Sequence, residues 1–233
     1  MQLPIFYTGN TALQNELTIL EEDSSRHIVQ VLRMKEGEQL QLTDGLGNLF
    51  TAQIVSGHKK TTQVRVLSTV TQPPPAPRIS VAISLVKNAG RFEWFLEKAT
   101  EIGVSEIIPL ICERTEKQHV RIDRMKNILV SAMLQSQQVW LPRLLEPLSF
   151  RKAVEQLECP QKLIAHCLED KKELREQLVP QTDALIMIGP EGDFTREEID
   201  LALRHRYHPV SLGNTRLRTE TAGMVAAVLL KTS

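Results

Sequence analysis

The sequence predicts an α/β protein: a mainly parallel sheet covered on both faces by helices, preceded by a small β-rich domain. Three observations carry this. Gln72-Pro73-Pro74-Pro75-Ala76-Pro77 places prolines where neither helix nor sheet ladder can continue, so it reads as a stiff connector. Before it, short segments alternate polar and apolar residues; after it, continuous apolar strands alternate with amphipathic helices. The division expected is residues 1–72 and residues 73–233.

In the first part, Gln39 to Thr43, Leu49 to Val55 and Thr62 to Val70 have the period of half-buried strands, with the turn-forming Asp44-Gly45-Leu46-Gly47-Asn48 between the first two. One helix is expected there, capped by Ser24 or Ser25 and presenting Ile28, Val31 and Leu32 on one face. In the second part the order is a strand at Ile79 to Val86, a helix at Phe92 to Ile102 closed by Gly103, a strand at Glu106 to Ile111 and a helix at Arg121 to Val139. Strands near Leu163 to Cys167 and Ala184 to Ile188 follow, then a helix at Thr195 to Arg206, a strand near Pro209 to Leu212 and a final helix at Thr219 to Leu230. Along that last helix Ala222, Val225, Ala226, Leu229 and Leu230 form an apolar stripe suited to a partner.

Composition narrows the function classes. Lys plus Arg and Asp plus Glu both number 28, so no global basic field exists and any nucleic-acid surface is a local patch. Cys112, Cys159 and Cys167 are odd in number and show no C-x-x-C spacing, which fits a reducing compartment and argues against a disulfide framework or a zinc site. Neither a leader-like start nor an apolar run long enough for a bilayer is visible, so a cytoplasmic protein without membrane or metal partners is expected.

Two segments stand at strand ends that lead into helices, where open α/β sheets bind ligands. The first is Ile188-Gly189-Pro190-Glu191-Gly192-Asp193-Phe194-Thr195, whose glycines let main chain approach a ligand, although a plain turn ahead of the capping box Thr195-x-x-Glu198 reads equally well. The second is Leu212-Gly213-Asn214-Thr215-Arg216-Leu217-Arg218-Thr219-Glu220-Thr221-Ala222, where Thr219 could cap the final helix and Glu220 sit in its first turn. Two guanidinium groups in such a loop, Arg216 and Arg218, exceed what a cap requires. A basic cluster, Arg114, Lys117, His119, Arg121, Arg124 and Lys126, is suited to phosphates or to a solvated face. The usual dinucleotide, P-loop, nucleophile-elbow and zinc-protease motifs are absent.

Gly189-Pro190-Glu191-Gly192, Leu212-Gly213 with Leu217-Arg218-Thr219-Glu220-Thr221-Ala222, and Glu97-Lys98-Ala99-Thr100-Glu101-Ile102-Gly103-Val104 together resemble the ribosomal RNA small subunit methyltransferase E family, uracil-N3 methyltransferases of the SPOUT superfamily. His27-Ile28-Val29-Gln30-Val31-Leu32-Arg33, Gly37 and Asp44-Gly45 resemble that family's PUA-like RNA-binding barrel. The resemblance implies a trefoil knot at the C-terminus, a homodimer, and 16S ribosomal RNA or the small subunit as substrate. It also implies S-adenosylmethionine as cofactor, held by Ile188, Gly189, Pro190, Glu191, Gly192, Leu212, Gly213 and Leu217. Removing the uracil N3 proton calls for a base and for a cation on the developing oxyanion. Glu220 is the candidate proton acceptor or orienter, Arg218 the candidate stabiliser, and Arg114 a competing cation. An enzyme acting on transfer RNA or another ribosomal position, or a non-catalytic RNA-binding protein of the same fold, stays open.

The chain departs from the family pattern twice. Asp193 stands where a second glycine is common, and Leu134-Gln135-Ser136-Gln137-Gln138 replaces a motif in which a glutamate stands at position 134 and an arginine at position 138.

Overall fold

A computed structural model of the chain describes residues 3–9, 17–167 and 172–232. The chain forms two compact units, Met1–Pro74 with Met133–Leu141, and Pro75–Ala132 with Pro142–Ser233. Compared with a simple cut at the prolines, the segment Met133–Leu141 thus joins the first unit.

That unit contains β1 (Ile5–Tyr7), β2 (Leu17–Ile19), a short helix α1 (Glu22–Arg26) running into a π-helical turn (His27–Val31), β3 (Gln39–Thr43), β4 (Asn48–Ser56) and β5 (Gln63–Thr71). The strands form one five-stranded sheet in the order β1-β3-β4-β5-β2. Alternation does its expected work: Leu40 and Leu42 of β3, Phe50, Ala52 and Ile54 of β4, and Val64 and Val66 of β5 face one core with Phe6, Leu20 and Ile28. Residues 139–141 dock on the 44–48 turn, where Gly47 N donates to Val139 O and Leu141 N donates to Gly45 O. Trp140 lies so close that a side chain on Gly47 would collide with its ring.

The helix expected to begin at Ser24 or Ser25 begins earlier, and neither serine caps it: Ser25 lies inside α1, fully buried. Its hydroxyl donates to Leu20 O and accepts from Thr62 N, bridging two chain segments. The π turn then rotates the expected face, so that Ile28 is buried while Val31 is 65% and Leu32 43% exposed.

The second unit is built on β6 (Ile79–Ser84), α2 (Ala89–Ile102), β7 (Glu106–Ile111), α3 (Ile122–Gln135, continuing into the first unit), β8 (Arg143–Leu144), β9 (Leu148–Ser149), α4 (Phe150–Gln156) and β10 (Gln161–Ala165). It continues through β11 (Lys172–Glu173), α5 (Leu174–Gln177), β12 (Ala184–Ile188), α6 (Arg196–Arg204), β13 (His208–Ser211) and α7 (Thr219–Lys231). The sheet order among the described residues is β11-β13-β10-β12-β6-β7-β8, with β9 also on β7, and every pairing is parallel. Continuous apolar strands such as Ala184–Ile188 are buried along their whole length, as a sheet covered on both faces requires.

On one face α4 and α6 bury Phe150, Ala153, Val154, Ile199 and Ala202 against Ile108, Leu110, Ile164, Leu185 and Met187. On the other, α2 and α7 pack against each other and against β6. That contact is close because Gly223 of α7 has no side chain: a Cβ there would stand 2.7 Å from Ile83 Cδ1 and 2.8 Å from Phe95 Cε2. The path from β13, beyond β10 on one side of β12, back to α7 under β6 is the crossing expected of the SPOUT C-terminal segment.

Element ends follow local chemistry. Asn88 caps α2 by accepting from Gly90 N, and Gly103, at φ 87°, closes it. Thr195 and Glu198 make the reciprocal capping box of α6. The helix expected to run to Val139 stops at Gln135, with Gln137 at φ 57°. Thr219 is not the cap of the last helix: Arg218 occupies that position, without a side-chain cap bond, and Thr219 is the first helical residue.

Candidate active site

β10, β12 and β13 all end at one edge of the sheet, and their carboxyl ends surround a cavity of about 680 Å³, counting the space open to solvent. Four segments make its walls: Ala165 to Cys167 at the end of β10, Ile188 to Glu191 with Asp193 after β12, Val210 to Leu217 without Asn214 after β13, and Thr219 with Ala222 of α7. Of the residues the sequence pointed to for a cofactor, Ile188, Gly189, Pro190, Glu191, Leu212, Gly213 and Leu217 line this cavity. Gly192 lies beside it and serves another contact. The wall after β10 was missed; its strand was visible in the sequence, but no glycine marked its end as a ligand loop.

The walls are fixed by hydrogen bonds made from the loops themselves. Thr219, buried at the start of α7, donates from its hydroxyl to Gly189 O at 3.0 Å, tying the last helix to the β12 loop. A hydroxyl expected to cap its own helix instead anchors the opposite wall. The Glu191 carboxylate accepts from Lys87 N at 3.2 Å, which joins the β12 loop to the segment after β6. Gly213, at φ 119°, adopts a backbone that a side chain would strain, and nothing stands within 4 Å of the position a Cβ would take. Main chain is therefore open to a ligand at that wall.

Asp193, the departure from glycine, has φ 62°, in the left-handed region glycine adopts freely. Its Oδ1 accepts from Phe194 N at 2.8 Å, a local bond of the kind that lets aspartate occupy this region. Gln138, the second departure, donates from Nε2 to Ser136 Oγ at 3.0 Å within the first unit.

The three catalytic candidates fall in different surroundings. Arg218 is exposed, between the lining residues Leu217 and Thr219, and its guanidinium makes no hydrogen bond or ion pair with any described residue. Glu220 does not line the cavity; its side chain is 9% exposed and faces Arg91 Nε of α2 at 3.7 Å. Sequence gave no sign of Arg91, because the pair joins helices distant along the chain. Arg114 Nη1 donates to Gly192 O at 2.6 Å and so braces the β12 loop from outside.

The turn carrying Arg114 is itself held firmly. Thr115 Oγ1 accepts from Cys112 N at 2.8 Å and shares a hydrogen bond with buried Ser84 Oγ at 2.9 Å. Glu113 N donates at 2.9 Å to the carboxylate of Glu198, which also closes the α6 capping box. Burial pushes the Cys112 thiol well above its ordinary range, so it stays protonated and unreactive.

Among the described residues no group of His, Cys, Asp and Glu could hold a metal ion, and no helix is long and apolar enough to cross a membrane.

A parallel sheet with a cavity across three strand ends, lined in part by glycine-bearing loops, is the architecture of an α/β enzyme that binds a small cofactor. Residues 73–231 match the RNA methyltransferase domain, and residues 20–67 match the RNA methyltransferase PUA domain. Ribosomal RNA small subunit methyltransferase E of Synechocystis is 33% identical over 221 residues, 91% of this chain and 72% of that protein. The structure of ribosomal RNA small subunit methyltransferase E from Neisseria gonorrhoeae bound to S-adenosylmethionine superposes with a TM-score of 0.88 at 29% identity, covering 99% of this chain and 98% of that one. A methyltransferase from Legionella pneumophila in complex with the same cofactor gives a TM-score of 0.89 at 33% identity, covering 100% and 98%. The chain belongs to the ribosomal RNA small subunit methyltransferase E family.

Proposed function

We propose that the protein transfers the methyl group of S-adenosylmethionine to N3 of a uridine in 16S ribosomal RNA of the small subunit, and that it works as a homodimer. The observation that carries the reading is that the β12 and β13 loops, which bear two of the motifs matching the family, form walls of one cavity beside the exposed Arg218.

The cavity fits the cofactor. Its walls offer main-chain donors and acceptors with two carboxylates, Glu191 and Asp193, and one guanidinium, Arg216. That mixture suits a ligand bearing an ammonium, a carboxylate and a sulfonium together. S-adenosylmethionine supplies a methyl group on a cationic sulfur that a nitrogen anion attacks in line.

The chain's own residues then have three tasks. The loops at Ile188 to Gly192 and Leu212 to Leu217 hold and orient the donor. Arg218, exposed next to this cavity, places its planar guanidinium on a carbonyl oxygen of uracil as N3 loses its proton. Glu220 serves as proton acceptor or orienter, its carboxylate held 3.7 Å from Arg91 Nε. Arg114 acts on the cofactor loop through Gly192.

Residues 1–72 supply RNA affinity in this reading, in keeping with the PUA match, while residues 73–233 bind cofactor and carry out the reaction. For the homodimer, α7 offers Ala222, Val225 and Leu229, half-buried in one protomer, whereas Ala226 and Leu230 of the expected stripe already face its interior. The test is methylation of small ribosomal subunits by the purified protein with labelled S-adenosylmethionine, followed by mapping of the methyl group. Methylated transfer RNA would reassign the substrate, and a folded protein without cofactor affinity would leave a binding module.

A further inference from the structure

The basic cluster at 114–126 is only partly used by the site above, and the structure sets part of it around a second cavity. This one, of about 610 Å³ including open space, lies beyond the carboxyl end of β6 between the start of α2 and the start of α3. Leu85, Val86, Phe92 and Met125 give it an apolar wall, and Lys117, His119 and Arg121 stand on its rim. The remaining charged lining residues are Arg124 and Glu93: Arg124 grips both carboxylate oxygens of Glu93, the second at 2.8 Å, and Arg121 and Lys117 act on the same carboxylate only through space. Glu116, the acid next to Lys117, is occupied by Lys87 at 3.0 Å. Lys117, His119 and Arg121 make no side-chain hydrogen bond or ion pair with any described residue.

The two cavities are neighbours. β6 pairs with β12 up to Ile83 and Ile188, so the segments leaving these strands run side by side. Lys87 N, directly after the lining residue Val86, donates to the carboxylate of Glu191, which lines the cofactor cavity. They nevertheless share no lining residue, so a base seated in one does not occupy the other.

We propose that this second cavity binds a nucleotide of the substrate RNA that flanks the reacting one, its base against the apolar wall and adjacent phosphates on Lys117, His119 and Arg121. An apolar wall with two cations, Lys117 and Arg121, and the His119 imidazole at its mouth is complementary to a planar base joined to a polyanionic backbone. In a protein with no net charge such a local excess of cations marks where the polyanion lies. The inference rests on the RNA methyltransferase reading and adds a place for the strand beside the target.

The experiment uses the full-length protein, small ribosomal subunits as substrate and small-subunit RNA for binding. The double variant K117E/R121E should bind S-adenosylmethionine as the wild type does, while its KM for subunits rises about tenfold or more. The slope of log affinity for RNA against log salt should fall in magnitude by about 1.5, as expected for two lost phosphate contacts. Thiouridine-substituted RNA should crosslink to the 85–93 or 117–125 segments of the wild type. Unchanged KM and salt slope, or crosslinks confined elsewhere, overturn the subsite while leaving the methyltransferase reading intact. A change of oligomeric state with unchanged RNA affinity shows instead that a second copy covers the cavity and also overturns it. A wild-type protein that neither binds nor methylates small-subunit RNA removes both readings.

Discussion

Asp193 accepts the backbone N–H of Cys167 on its Oδ2 at 2.9 Å, so one side chain links the end of β10 to the loop after β12. With its other oxygen on Phe194 N, the carboxylate fastens the wall that sequence inspection missed to the wall it found. A glycine at this position would relax the backbone and remove this tie between the two walls.

That relationship predicts an order among variants. Asp193→Ala should lower stability by about 1–2 kcal/mol, because alanine at positive φ is strained and the carboxylate is lost. Asp193→Gly should lose less, since it keeps the turn. Both should weaken S-adenosylmethionine binding. Denaturant melts and calorimetry check this, and equal stability of the two variants would contradict the role assigned to φ.

Arg218→Ala should fold normally, because the side chain is exposed and bonded to no described residue. Its single-turnover methylation should slow roughly a hundredfold, about 3 kcal/mol in the barrier, as when an oxyanion donor is removed. Lysine should restore only part of that loss, having charge without the planar fork. A normal rate removes Arg218 from the mechanism, and a defect confined to cofactor binding moves it to the other site.

The pair Glu220 and Arg91 should behave as a unit. Glu220→Gln and Arg91→Ala are each expected to slow methylation, and the double variant to slow it by less than the product of the two, with a coupling of about 1 kcal/mol. Additive effects would argue that Glu220 acts on the proton independently of Arg91.

Asp183 gives the fold an acid-sensitive contact. It accepts from Arg78 N at 2.8 Å and from Arg78 Nε at 2.9 Å, and these bonds, the backbone one foremost, hold its carboxyl below the usual carboxylate range. In the unfolded chain it titrates near ~3.9. Its contribution is therefore full above about pH 4 and disappears as pH falls through the lower folded value. Asp183→Asn should cost about 1 kcal/mol at neutral pH, a modest figure because Arg78 is solvent-exposed. The gap from wild type should close in strong acid, and a gap that stays constant with pH would show that charge plays no part.

The strand and helix pattern after the prolines was legible because buried parallel strands and amphipathic helices leave strong periodicities; β7 and β12 fall on the expected residues. Short elements such as α4, α5 and β11 were not, since a few residues carry no period. Ser25 and Thr219 misled for one reason: a hydroxyl that suits a cap also suits a distant carbonyl or amide, and only the tertiary contact decides. The loop residues of the cofactor cavity were visible through their glycines and the family match. Cys167 and Arg91 were not, because what defines each is a neighbour far along the chain; the cations at Lys117 and Arg121 were visible as a cluster, but not the cavity they edge.

The central claim is tested most directly by incubating the purified protein with S-adenosylmethionine and small ribosomal subunits lacking the modification, then identifying the methylated nucleoside by mass spectrometry. The account predicts a single methyl group per subunit, on N3 of one 16S ribosomal RNA uridine, and none when Arg218 is replaced by Ala over the same short reaction time. A methyl group on ribose, on uracil C5 or on another base would contradict it, as would folded, cofactor-bound protein that leaves the subunit unmodified.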